Sequence, residues 1–377
     1  MKALLFIGSA ACAATLVACA SNSRGSAVPS APDASTRVPA NVKSAKSTHA
    51  LYVLDIESSG DAIRVYKAGG AAFLRTVQPA PRSQLQYDVD QNGRLYVGSV
   101  SSDGKGPGTL SIYANRGATF IRSFQQRKYF AGLTVDDQGN LFSFCTGSNI
   151  CERANAKKPI TRMLKGVSSP LAVDQNGNLA AYDCRAWGPS NACVFAPGQT
   201  APSWKISDGV TFPGVYQLAF DPAGSLYVPN LGHNTPDYPG NVAVFAPLAT
   251  SPTRVITSEI AAPVSIAVDS AGTLYVYNEC GGSYNSVGQC SVDGSSITVY
   301  KSGESTPTRK ITTGIESGCP PPFGLSTGAP SCLAVDSAGN LYAVNTGRNI
   351  VEYKPGSDAP FRTLTDAQYP IAVTVGP

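Results

Sequence analysis

Histidine is almost missing from these 377 residues: His49 and His233 are the two present. That scarcity argues against chemistries that need imidazoles in company, such as mixed Cys/His zinc clusters or a histidine-based acid–base site. Short Cys-x-x-Cys steps are missing as well. Charge is thin, at 14% Asp, Glu, Lys and Arg with a net +4, too weak a balance to argue for nucleic acid. After residue 18 no apolar run is long enough to span a bilayer. Glutamate is scarce too, and no acid–base pair stands out. The sequence therefore predicts no cofactor, no bound metal and no catalytic residues.

What is present begins with an export signal. Met1-Lys2 supplies a positive charge, and Ala3 to Ala18 is apolar or small and uncharged. It ends in Leu16-Val17-Ala18-Cys19, which resembles the lipobox of bacterial lipoproteins. The resemblance implies a signal peptide over 1–18, cleavage before Cys19, and lipidation (a palmitate-type anchor) of Cys19. The plain alternative is an ordinary cleaved signal with an incidental cysteine. Position 20 is Ala rather than Asp, which by the same resemblance points to the outer membrane, facing the periplasm or the cell surface. Residues 19–48 are rich in Ser, Ala, Pro and Lys, too poor in large apolar groups to offset their ordering entropy. They read as a disordered tether. Residues 49–377 are left for the folded domain.

Of ten cysteines, Cys12 falls in the signal and Cys19 at its end. The other eight form close pairs: Cys145 and Cys151, Cys184 and Cys193, Cys280 and Cys290, Cys319 and Cys332. In an exported chain an even set of this kind reads as local disulfides.

The strongest internal signal is Asp-x-x-Gly-x-Leu, six times over, with the Asp at 90, 136, 174, 221, 269 and 336. It reads as a β-hairpin whose Asp caps the turn and whose Gly takes positive φ. A ring of such carboxylates could hold metal, but capping accounts for a copy beside every turn Gly. An apolar stretch ending near an aromatic or Arg follows (Tyr66, Tyr113, Arg153, Phe195, Phe245, Tyr300, Tyr353). Nine residues later comes Arg75, Arg122, Arg162, Trp204, Arg254, Arg309 or Arg362. Four short strands per unit, a to d, mark a propeller blade. Strand b begins at Leu51, Leu95, Leu141, Leu179, Leu226, Leu274 and Leu341, giving seven blades.

The fold class is therefore all-β: a seven-bladed β-propeller of four-stranded antiparallel blades. Only the tether precedes Leu51, while Pro370-Ile371-Ala372-Val373-Thr374 repeats Pro170-Leu171-Ala172-Val173-Asp174. The C-terminal strand is expected to join the N-terminal blade and leave no open edge. The stretch Val344-Asn345-Thr346-Gly347-Arg348-Asn349-Ile350-Val351-Glu352-Tyr353 resembles NHL-repeat propellers. That resemblance speaks to fold far more than to function.

Loop lengths separate two faces. The a–b and c–d connections keep constant length, while b–c and d–a vary and carry all four cysteine pairs. Variable loops are where binding is usually placed. The longest are 278–296 and 314–331, with the loop 230–238 beside them. Binding residues are therefore sought among Asn230, His233, Asp237, Tyr238, Asn278, Glu279, Tyr284, Asn285 and Phe323. The competing reading is that these insertions merely cover the channel mouth. Asp55, Asp183, Asn230, Asn278 and Asn345 end strand b, and read as turn formers ahead of strand c in preference to lining the channel mouth.

The leading functional expectation is a non-catalytic binding or scaffold propeller held at the envelope. Its partners would be the membrane, through Cys19, and a protein or glycan on the variable-loop face. The alternative is a metal-dependent hydrolase or lyase resembling gluconolactonase or virginiamycin B lyase propellers. The former would draw on Asn230, Asn278 and Glu279 as oxygen ligands, with Glu259 and Glu316 nearby. The lyase type uses His and Glu, and one histidine in the domain body speaks against it.

Overall fold

The computed structural model describes residues 49–69, 72–79, 83–101, 107–126, 132–145, 149–157, 159–182, 184, 192–210, 217–232, 239–280, 294–316, 318–319, 331–345 and 347–377. The signal, Cys19 and the tether lie outside them.

Seven four-stranded antiparallel sheets form the domain. Strand b starts at Leu95, Leu141, Leu179, Leu226, Leu274 and Leu341, and in the first blade at Ala50, one residue before the expected Leu51. Each strand a lies against the strands a of both neighbouring blades, so these seven make a closed inner ring. The Leu-Tyr-Val runs of strand b are buried along their whole length, as in Leu226–Asn230 and Leu274–Asn278. Burial from both sides follows from stacking blade on blade, and Tyr52, Tyr96, Tyr227 and Tyr342 are among the largest fully buried side chains.

The first blade takes its strand a from the other end of the chain. Pro370–Gly376 pairs with Ala50–Asp55, with Leu51 opposite Val375 and Val53 opposite Val373. The sheet edge that Ala50–Asp55 would otherwise present is covered.

The Asp-x-x-Gly turns do as their chemistry predicts. In each, the Gly N–H donates to the Asp carbonyl, at 2.9 Å for Asp90 and 3.0 Å for Asp174. The Asp90 Oδ1 accepts from the backbone N–H of Asn92 and Arg94, both at 2.9 Å, and the other five turns repeat this grip on the residue four ahead. Gly93, Gly139, Gly177, Gly224, Gly272 and Gly339 all have φ between 69° and 82°.

The constant c–d turns have a second physical cause. A side chain on strand d, its first residue in five of the seven blades, reaches across to the c–d turn of the next blade. Arg75 donates to the Asn115 carbonyl (2.7 Å), Arg122 to Asn155 (2.7 Å) and Arg162 to Ala196 (2.7 Å). Trp204 donates through its indole N–H to Ala249 (2.5 Å), Arg254 to Glu304 (2.9 Å) and Arg309 to the Asp358 carboxylate (3.1 Å). Arg362 closes the circuit onto Gly69 of the first blade (3.4 Å). An insertion in any of these turns would carry the acceptor away from its donor.

Among the described cysteines, the bonds are Cys145–Cys151, Cys184–Cys193 and Cys319–Cys332, with Cα separations of 5.7, 5.9 and 5.9 Å. Cys280 is disulfide-bonded; its expected mate, Cys290, lies outside the described residues.

Two variants test closure. Deleting residues 369–377 should abolish the cooperative melt of the whole ring. Replacing Arg362 by Ala cuts the last tie and removes one of the two cations that neutralise buried Glu352 (3.2 Å). Its expected cost is about 2–4 kcal/mol, read from the urea midpoint. A truncated chain that melts like the full-length protein would show that the C-terminal strand does not hold the ring shut.

Candidate functional site

Crossovers from strand d into the next strand a, together with the b–c loops, make up the variable face. The polar residues that end strand b do more than form the turn into strand c, where the Asn345 carbonyl accepts from Arg348 N–H (3.0 Å). They pin the crossover that enters their own blade. Asp55 accepts from the backbone N–H of Gln368 (2.9 Å) and Tyr369 (2.6 Å). Asn230 donates to the Gly209 carbonyl (2.9 Å), and Asn345 donates to Gly314 (2.8 Å) while accepting from Glu316 N–H (3.0 Å). Asn278 donates to Glu259 (3.3 Å) and accepts from Ala261 (3.0 Å). All four are buried, between 0% and 1% exposed. A carboxamide donates and accepts at once, which suits it to a crossover whose backbone groups have left the sheet. Asp183, the fifth of the set, lies outside the described residues.

Asn230 and Asn278, two of the candidate binding residues, thus have their side chains engaged with the chain itself. Asn230 also reaches the Asn241 carboxamide (2.8 Å), and Asn278 the Thr298 hydroxyl (3.0 Å). Glu279 differs from them. It follows strand b of the sixth blade directly, between Asn278 and disulfide-bonded Cys280. Its side chain lies against Gly318, the residue before Cys319, where a Cβ would come within 3.1 Å of the Glu279 Cγ. The two longest loops are therefore neighbours at this carboxylate.

The other glutamates near this face hold cations at the surface: Glu259 meets Lys310 at 2.7 Å, and Glu316 meets Arg348 at 3.5 Å. Glu279 has no ion pair or side-chain hydrogen bond among the described residues, and burial pushes its carboxyl above the usual range. Of the remaining candidates, His233, Asp237, Tyr238, Tyr284, Asn285 and Phe323 lie outside the described residues. Among those described, no three His, Cys, Asp or Glu side chains group as a metal site.

A second carboxylate, not singled out from the sequence, sits on the inner ring. Asp88, in strand a of the second blade (Ser83–Val89), accepts from Val135 N–H (2.9 Å) and the Thr134 hydroxyl (3.0 Å) of the next blade. The repeat carries Ala172, Ala219, Ala267 and Ala334 at the corresponding place, and Thr134 in the third blade, so the one charged residue there was legible. Burial outweighs these hydrogen bonds and a third from Val89 N–H (2.8 Å), and pushes its carboxyl up to about 6.

No protein-family model and no curated protein sequence matches this chain. Solved structures do. AztD of Citrobacter koseri superposes with a TM-score of 0.58 at 11% identity, over 87% of this chain and 97% of that one. A structure of apo AztD from the same organism gives 0.59 at 10% identity over the same shares. Likeness at this level of identity is likeness of fold.

Asp88 makes the ring sensitive to acid in an unusual sense. Its folded value lies above the ordinary 3.8, so the folded chain binds the extra proton between the two. Its stabilising contribution is complete below about pH 4 and is lost as pH rises through about 6. Urea midpoints across this window should show that slope in the wild type and a flatter profile in Asp88→Asn. Identical slopes would remove Asp88 as its source.

Proposed function

We propose that this chain is a non-catalytic binding propeller tethered to the cell envelope through a lipid on Cys19, with its partner received on the loops of the fifth to seventh blades. The observation that carries the reading is Glu279. A half-buried carboxylate with raised pKa and no cation among the described residues is an uncompensated cost in the free protein. A partner that brings a cationic group or several hydrogen-bond donors to that point converts the cost into affinity. Disulfides at Cys280 and Cys319–Cys332 hold the surrounding backbone, which lowers the entropy lost on binding. A basic protein segment or an amine-bearing glycan has the required chemistry. The lipobox supports the anchorage, and the Ser/Ala/Pro tether gives the ring reach from the membrane.

Anchorage is tested by Cys19→Ser, which should move the protein from the membrane to the soluble fraction and end incorporation of labelled palmitate. The site is tested with Glu279→Gln and titration by Ca²⁺ and Mn²⁺. The variant should melt at or above the wild-type temperature at neutral pH, because it removes an unpaired buried charge. Neither ion should stabilise either protein. A saturable rise in melting temperature with Ca²⁺ or Mn²⁺, lost in Glu279→Gln, would replace the binding reading by the metal-dependent hydrolase.

A further inference from the structure

The repeat breaks three of its own residue rules at a single interface, that of the fourth and fifth blades. Strand a ends on Val89, Val135, Val173, Val268 and Val335 ahead of the turn aspartate, but on Phe220 in the fifth blade. The strand-d residue that reaches the next blade is arginine everywhere except the fourth blade, which has Trp204. The third residue after the strand-c aromatic position is Gly69, Gly198, Gly303 or Gly356 in four blades, Arg116 and Ala156 in the second and third, and Leu248 in the fifth. That position has positive φ in every blade, 67° at Leu248, where a branched side chain is disfavoured. Burial does not compensate, since Leu248 is 71% exposed.

All three side chains line one cavity of about 160 Å³ on the turn face, away from the variable loops. Its polar wall comes from the turn of the fourth blade. The Asp174 carboxylate accepts from Asn176 N–H (2.9 Å), Asn178 N–H (2.8 Å) and the Asn178 side chain (2.8 Å), so it is committed to the turn. The carboxamides are not fully committed. In the third blade the equivalent Asn140 Oδ1 accepts from Asn155 N–H (3.1 Å). In the fourth blade the residue facing Asn178 in that way is Pro197, which has no N–H to offer. Among the described residues, Asn178 Oδ1 and the Asn176 carboxamide have no partner.

We propose that this cavity is a binding site for a neutral sugar ring, a single pyranose or the end of a glycan. Phe220, Pro247 and Leu248, set over almost fully buried Trp204, offer apolar surface for the C–H face of the ring, and Asn176 and Asn178 offer donors and an acceptor for its hydroxyls. A cavity of about 150 Å³ holds one benzene, and a pyranose has about twice as many heavy atoms, so one face of the sugar ring would sit in the cavity and the rest project from its open side. A purely apolar occupant would leave both carboxamides unpaired, and a charged one would find no free counter-charge. The site stands apart from the reading built on Glu279.

The test uses the folded full-length chain and the methyl glycosides of glucose, galactose, mannose and N-acetylglucosamine, followed by saturation-transfer NMR and tryptophan fluorescence. At least one should bind saturably. Leu248→Gly and Phe220→Val, each restoring the repeat's own residue, should weaken it about tenfold or more. Leu248→Gly should also melt no lower than wild type, since it relieves the disfavoured backbone. Glu279→Gln should bind the sugar unchanged, which separates this site from the other. No saturable binding by any of the four, unchanged affinity in both cavity variants, or binding of a leucyl-prolyl peptide in place of every sugar would overturn the proposal.

Discussion

A donor on each outer strand, reaching the turn of the next blade, is the contact on which the rest of the ring depends. Six arginines and one tryptophan make it, and the seventh link joins the last blade to the first. Each link binds neighbours and requires the accepting turn to sit at a fixed distance from its own strands. That requirement explains why one face tolerates no insertion while the other varies freely. The variable face is held differently, by single Asp or Asn side chains that clamp four of the crossovers from within. A clamp at the root of a loop leaves its tip free to lengthen. Function can then be grafted there without disturbing the blades beneath.

Much of this fold is legible in the sequence because it is written several times. Strand starts, turn aspartates, the missing inner strand of the first blade and three of the cysteine pairs all follow from local spacing and from comparing one copy with another. The partners of the strand-d arginines were not legible. Their position was plain, but the acceptor lies some forty residues away in the next blade, and only ring closure brings it near. The strand-b residues misled for a related reason. Asn before a hairpin usually serves that hairpin, and Asn278 and Asn345 serve as well the segment that precedes their own strand a.

The candidate site was less legible than the fold. Glu279 was marked by its neighbourhood and by the scarcity of its kind, and its isolation from cations became visible only with Lys310 and Arg348 placed on other glutamates. Asp88 was overlooked because an acidic residue beside a turn aspartate looks like more of the turn. Trp204, Phe220 and Leu248 are separate irregularities along the chain. They become one feature when two blades are set side by side.

Borrowing the first blade's inner strand from the last residues also sets the order of events as the chain is made. Until residues 370–376 have emerged, Ala50–Asp55 has no inner partner, and the circuit from Arg362 to Gly69 cannot be drawn. Every earlier length of the chain is an open arc with an exposed edge. Ring closure therefore waits for residues 370–376. Quality control has a simple criterion to act on: a chain whose tail is missing or misplaced keeps that edge exposed, where proteases and other strands can reach it.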